Sequence, residues 1–112
     1  MISLIIPCFN EEESLPLFYP EVTSVLQEMN CDYELIFVND GSRDRTLEIL
    51  KELSEKDPHV IYLSFSRNFG KEAAMYAGFC NARGDYVAVM DADLQDPPAL
   101  LPEMLQKLES GE

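Results

Sequence analysis

Apolar residues along the chain fall into two kinds of run that alternate. Four short, nearly unbroken stretches, residues 2–6, 33–38, 60–65 and 86–90, are each bounded by turn-forming residues. Runs of that length and continuity predict strands buried on both faces of a parallel sheet. Between them the apolar residues recur at steps of three and four. Leu15, Phe18, Tyr19, Val22, Val25, Leu26 and Met29 mark a first helix, and Leu47, Leu50 and Leu53 a second. Ala73, Ala74, Ala77 and Gly78 form a stripe of small residues that predicts a third helix in close approach to the sheet. Leu100, Leu101, Met104, Leu105 and Leu108 mark a fourth, which starts at Asp96-Pro97-Pro98. Pro7 is expected to end the first strand. Ser14 and Glu11 to Glu13 suit the start of the first helix, although Pro16 and Pro20 predict an irregular start or one delayed until after Pro20. Ser42 or Asp44 suits the cap of the second helix, which must stop before Pro58. The β-α order repeats four times without linker or internal repeat. That order predicts one α/β domain, or part of one, over residues 1–112, a Rossmann-like parallel sheet with helices on both faces.

The polar residues matter because of which sheet edge they occupy. Glu11 follows the first strand, Asp40 the second, Arg67 and Lys71 the third, and the pair Asp91 and Asp93 the fourth. Open α/β sheets bind ligands outside the carboxyl ends of their strands. Two carboxylates one residue apart crowd their charge there. A hard cation, Mg²⁺ or Mn²⁺, relieves that repulsion through oxygen ligands. Gln95 adds an amide oxygen two residues on.

Composition narrows the partners. Eight Lys and Arg against 21 Asp and Glu give a net charge of −13. That balance argues against a nucleic-acid backbone or an anionic membrane surface as partner, and leaves room for a small phosphorylated ligand bridged by a cation. Cys8, Cys31 and Cys80 are odd in number and widely spaced, so they are expected to be small buried apolar residues in a reducing compartment. No apolar run approaches the ~18 residues that span a bilayer, and Met1 leads into a strand without the basic start of a leader. The expectation is a soluble cytoplasmic segment.

Several chemistries are disfavoured by missing motifs. There is no Gly-rich dinucleotide fingerprint after the first strand, no Walker-type loop and no Gly-x-Ser-x-Gly elbow. His59, the one histidine, lies at a strand start, away from the carboxyl-end loops. An Asp-dependent phosphotransferase acting through Asp91 stays open as an alternative.

Four strings together resemble the amino-terminal half of a family 2 glycosyltransferase with the GT-A fold. They are Leu4-Ile5-Ile6-Pro7-Cys8-Phe9-Asn10-Glu11-Glu12, Val38-Asn39-Asp40-Gly41-Ser42-Arg43-Asp44-Arg45-Thr46, Ser66-Arg67-Asn68-Phe69-Gly70-Lys71 and Asp91-Ala92-Asp93-Leu94-Gln95-Asp96-Pro97-Pro98. The last string looks most like the branch that moves a sugar from a nucleotide onto a polyprenyl phosphate, as dolichol-phosphate mannosyltransferase-like enzymes do. The resemblance implies an inverting transferase of which residues 1–112 are the nucleotide-sugar-binding part, cut at its carboxyl side. It implies that Pro7, Phe9 and Glu11 line the nucleoside site, with Val38 and Asp40 at base and ribose. Asp91, Ala92 and Asp93 would face ribose and diphosphate, and Asp93 and Gln95, with Asp91, would hold the metal. Arg67 and Lys71 would approach the donor. Phe9 stands where Tyr is common and Asn39 where a second Asp is common. An acceptor site and any membrane association would lie in sequence beyond Glu112. A sheet cut at this point would expose an edge that favours self-association. A non-catalytic module that binds the donor, alone or as an oligomer, is the second alternative.

Overall fold

The computed structural model describes residues 1–93 and the isolated Pro102. Seven elements alternate in the expected order: β1 (Ile2–Cys8), α1 (Leu15–Glu28), β2 (Tyr33–Asn39), α2 (Thr46–Lys56), β3 (Val60–Ser64), α3 (Lys71–Asn81) and β4 (Tyr86–Val89). The expected fourth helix, and Gln95 with it, lies outside the described residues. The strands form one parallel sheet in the order β3-β2-β1-β4. From β1 the chain steps outward to β2 and β3, and α3 then carries it back across β1 to β4. The order therefore reverses between β1 and β4, and a crevice at such a reversal is where α/β sheets place ligands.

Each face of the sheet has its own core. Ile2, Leu4, Ile6 and Cys8 of β1 and Leu35 and Phe37 of β2 pack against Leu15, Phe18, Val22 and Leu26 of α1 and Leu50 of α2. On the opposite face Ile36 and Val38 pack with Ala74 of α3. The small-residue stripe works as expected, because a Cβ on Gly78 would stand 2.4 Å from the Ile5 side chain. All seven residues of β2 are buried, so its near-continuous apolar sequence has a direct cause. Glu34 is the exception that shows the rule for buried charge. Its carboxylate accepts hydrogen bonds from Ser3 Oγ (2.5 Å), the Arg83 N–H (2.7 Å) and the Arg83 guanidinium (3.3 Å). Burial alone would raise its pKa, but these donors outweigh burial and hold it below the ordinary value.

Several boundaries differ from expectation for identifiable reasons. Pro7 does not end β1, which continues in register with β2 through Cys8. Even-numbered residues of β1 direct their backbone groups to β2, as the Cys8 carbonyl does in accepting from Asp40 N–H (2.8 Å). Odd-numbered residues face β4, as the Ile5 carbonyl does in accepting from Met90 N–H (2.9 Å). The missing N–H of Pro7 therefore falls on the β4 side. The proline stops the β1–β4 ladder and leaves β1–β2 intact. Helix α1 begins at Leu15, with Pro16 in its first turn, and runs on through Pro20. Burial of Phe18, Val22 and Leu26 outweighs the loss of one helical hydrogen bond. In α2 the core face carries Ile49 with Leu50 and Leu53, in place of the expected Leu47. Strands β3 and β4 each stop one residue early, at Ser64 and Val89. Of the cysteines only Cys8 is buried; Cys31 is half-buried, and Cys80 is exposed on α3. Among the described residues no helix is long and apolar enough to cross a membrane.

Candidate active site

Where Pro7 parts β1 from β4, the chain leaves a hollow of about 140 Å³ lined by Pro7, Cys8, Phe9, Glu11, Asp40, Lys71 and Asp91. It draws on the carboxyl ends of β1, β2 and β4 and the start of α3. A larger hollow of about 370 Å³ adjoins it, lined by Phe9, Asn10, Gly41, Ser42, Arg43, Ser66, Arg67 and Asn68. Phe9, 44% exposed, belongs to both and forms the wall between them.

The loops around these hollows are bound to one another through side chains. Asn10 takes a left-handed backbone (φ 54°). Its N–H donates to Ser42 Oγ (2.9 Å), and its side-chain oxygen accepts from Arg43 N–H (2.8 Å). The Glu11 N–H donates to Thr46 Oγ1 (2.8 Å) and the Glu12 N–H to Asp44 (3.2 Å). Asp44 also accepts from the Thr46 N–H (2.9 Å) at the start of α2, where Arg45 holds the cap position without a side-chain bond, while Ser42 is engaged with Asn10. Burial would raise the Asp44 carboxyl, but the donors from Thr46 and Glu12 prevail and hold it below the usual range. Asn39 donates to Ser64 Oγ (3.1 Å) and accepts from Ser42 N–H (3.1 Å), a two-way role that an amide fills and a carboxylate does not. Asn10, Ser42, Asp44 and Thr46 lie within the quoted strings, but no periodicity singles them out as the residues that join the loops.

The loop after β3 is fixed by Asp40. Its carboxylate, on a residue 4% exposed, accepts from the Phe69 N–H (2.7 Å) and the Gly70 N–H (3.1 Å), and its carbonyl accepts from Asn68 Nδ2 (3.2 Å). Gly41 permits the crossing. It has φ +70°, and a Cβ there would stand 2.3 Å from the backbone of Arg67 and Asn68. The Arg67 guanidinium lies over the Phe69 ring at 4.2 Å from its centre. Lys71 Nζ pairs with Asp91 at 2.8 Å.

The expected site residues divide into those that face the hollows and those beneath them. Pro7, Phe9, Glu11, Asp40 and Asp91 line the smaller hollow. Val38 and Ala92 do not: Val38 is fully buried toward α3, and Ala92 is 1% exposed among the residues of the α1 face. Both lie within the two cores. With Ala92 turned inward, Asp91 and Asp93 flank it. Asp93 lies near enough to act on Glu11. Burial pushes the Glu11 carboxyl up, a hydrogen bond with Ser14 opposes the shift, and the charges of Asp93, Asp44 and Asp91 add to it. Burial likewise pushes the Cys8 thiol up, reinforced by Glu11 and Asp44, which makes it a poor nucleophile. His59 pairs with Asp57 (2.8 Å) and stacks on Tyr33 at the opposite edge of the sheet.

A divalent ion suits this chemistry in part. Among the described residues no three Asp, Glu, His or Cys side chains gather closely enough to enclose a metal. A hard cation does not require that, since Mg²⁺ commonly takes one or two carboxylates and completes its shell with water and substrate phosphates. Secondary to burial, the charges of Asp93 and Asp91 add to the cost of ionising Glu11, and a cation placed among them would offset that contribution.

The model of the family described as "Glycosyl transferase family 2" matches residues 3–112. A prophage bactoprenol glucosyl transferase homolog of Escherichia coli (strain K12) is 46% identical over 110 residues, covering 98% of this chain and 36% of the relative. An undecaprenyl-phosphate 4-deoxy-4-formamido-L-arabinose transferase of Photorhabdus laumondii is 40% identical over 111 residues, covering 98% of this chain and 34% of the relative. The chain thus spans about a third of the length of the curated relatives it matches. Among solved structures, glucosyl-3-phosphoglycerate synthase from Mycobacterium tuberculosis with uridine diphosphate superposes with a TM-score of 0.73 at 24% identity, covering 100% of this chain and 41% of that one. A mannosyltransferase from Pyrobaculum calidifontis with GDP-Man and Mn²⁺ gives a TM-score of 0.66 at 24% identity, covering 82% and 27%. At these identities the likeness shows a shared fold.

Proposed function

The chain belongs to glycosyl transferase family 2, and we propose that it forms the donor-binding part of an enzyme that moves a sugar from a nucleotide onto a polyprenyl phosphate. The observation that carries the reading is the hollow at the β1–β4 reversal, where Phe9, Glu11, Asp40, Lys71 and Asp91 converge. The names of the relatives support the acceptor class, since bactoprenol and undecaprenyl phosphate recur in them. The neighbour that holds GDP-Man with Mn²⁺ supports a metal-assisted donor site.

In this reading the larger hollow takes the nucleoside, against Phe9 and the Arg67–Asn68 backbone, and the smaller takes the diphosphate. The larger hollow's volume of about 370 Å³ falls in the range that encloses small ligands. Asp91 and Asp93 would hold Mg²⁺ or Mn²⁺; Gln95 is proposed as a further ligand from the sequence alone. A bound divalent ion stabilises the negative charge that grows on the departing diphosphate, worth several kcal/mol of barrier. Glu11 offers its carboxylate to the ribose hydroxyls, and Asp40 holds the loop that brings Arg67 and Lys71 to the donor. The acceptor phosphate is ionised at neutral pH and attacks the anomeric carbon from the side opposite the diphosphate. The bond to the diphosphate oxygen breaks with its electron pair, and the configuration inverts. No protein base is required for that attack.

The test is a thermal shift with UDP or GDP and Mn²⁺. At one hundred times Kd the ligand stabilises the fold by about 2.7 kcal/mol, a rise in Tm of several degrees that Asp93→Ala should abolish. A wild-type protein whose Tm ignores nucleoside diphosphate and Mn²⁺ together would exclude the reading.

A further inference from the structure

Lys71 is the first residue of α3, and that position poses a physical problem. The amino end of a helix carries partial positive charge and disfavours a cation in its first turn. Lys71 is nevertheless delivered there by a built feature. Asp40 holds the Phe69 and Gly70 N–H groups. Gly70 adopts φ +103° with open space where its Cβ would stand, so the position needs glycine for its conformation alone. The result is an ammonium 2.8 Å from Asp91, in the hollow that Glu11 and Asp40 also line. The two side chains are 58% and 30% exposed. An ion pair that open to water is worth about two- to fivefold in an equilibrium, enough to set a resting arrangement and weak enough to be broken by a ligand.

We propose that Lys71 is the resident counter-ion of the metal site: with no donor bound it holds Asp91, an arriving divalent ion displaces it, and the released ammonium then binds the donor's diphosphate. The proposal rests on the donor-site reading above. Its physical content is a competition. Asp91 serves either Lys71 or the ion, and a hollow of about 140 Å³ keeps both cations beside the same anionic group. Once Asp91 is satisfied by the ion, an ammonium at a helix amino end is most stable against a new anion, and the diphosphate supplies one. The ion and the donor then reinforce each other, because each removes a cost the other would meet alone.

The experiment compares the full chain with Lys71→Gln, Lys71→Met and Lys71→Arg. Mn²⁺ binding is read from the loss of the aqueous Mn²⁺ resonance signal, and UDP and GDP binding by calorimetry at saturating Mn²⁺. Both neutral variants should bind Mn²⁺ alone about two- to fivefold more tightly than wild type. They should bind the nucleoside diphosphate about tenfold or more weakly, the loss of a charge-assisted contact. Lys71→Arg should return both affinities toward wild type. A purely structural role would weaken both ligands together, and the opposite signs are what it cannot produce. Mn²⁺ affinity that is unchanged or weaker in folded neutral variants, or unchanged diphosphate affinity, overturns the assignment to Lys71. Failure of the wild type to bind either ligand overturns the donor-site reading itself.

Discussion

Removing the Asp40 carboxylate should detach the loop after β3 from the rest of the site. Its two oxygens accept the Phe69 and Gly70 N–H groups at 2.7 and 3.1 Å on a residue 4% exposed. In Asp40→Ala both donors lose a charged partner. Leaving such a group unpaired costs about 1–3 kcal/mol. Phe69 is half exposed, so water recovers part of the loss, and the lower half of that range applies. The two donors together then predict a loss of about 2–4 kcal/mol, against a total of about 5–15 kcal/mol for a domain. For a chain of this length each kcal/mol lowers Tm by roughly 3–6 °C, so Asp40→Ala should melt about 10 °C below wild type. Asp40→Asn keeps one acceptor oxygen and turns an amide donor toward the second N–H, so its loss should fall between the two. The assay is urea and thermal unfolding followed by circular dichroism, with amide hydrogen exchange at Phe69 and Gly70 as the local probe. Exchange at both should accelerate in Asp40→Ala. A Tm within 2 °C of wild type, with Phe69 and Gly70 still protected, would refute the reasoning, since the loop would then be held by something other than this carboxylate.

Glu11→Gln should stabilise the ligand-free protein in a pH-dependent way. The folded carboxyl titrates above its unfolded value, through burial first and the charges of Asp93, Asp44 and Asp91 after it. Ionisation therefore costs the folded state stability, a cost absent below the unfolded pKa and growing as pH rises through the folded one. The variant should match wild type near pH 4 and exceed it at pH 7; a gain independent of pH would contradict the sign. Gly41→Ala places a Cβ 2.3 Å from the Arg67 and Asn68 backbone at φ +70°. It should cost about 2–5 kcal/mol in urea unfolding, from left-handed strain and overpacking together. A loss under 1 kcal/mol would show that the two loops part without penalty.

Much of the fold was legible because burial writes directly into residue type. Strands covered on both faces must be apolar throughout, and the helices beside them apolar on one side, so residues 33–38 and the Leu15–Phe18–Val22–Leu26 series could be read without coordinates. The errors occurred where a local preference met a stronger tertiary one. Pro7 looked like a strand end because proline lacks an N–H. Which neighbour that N–H would have faced depends on strand order, and strand order is not encoded in any local window. Pro16 and Pro20 predict an irregular or delayed start, and the buried face of α1 holds the helix from Leu15 through Pro20. Residue type alone makes the three cysteines interchangeable, and only packing separates buried Cys8 from exposed Cys80.

The same division holds for the site. The alternation of strand and helix, the acidic groups after three strands and the four strings that resemble a glycosyltransferase are properties of the chain alone. A parallel sheet sends every strand's carboxyl end to one edge, so their gathering at one edge follows from sequence once the sheet is parallel. Which of them share a hollow does not follow. That was decided by the reversal between β1 and β4, which sets Asp91 beside Glu11, and by the hydrogen bonds of Asp40, which set Lys71 opposite Asp91. Residues 20 to 80 positions apart meet there through backbone geometry, and no spacing in the sequence records the distance between them.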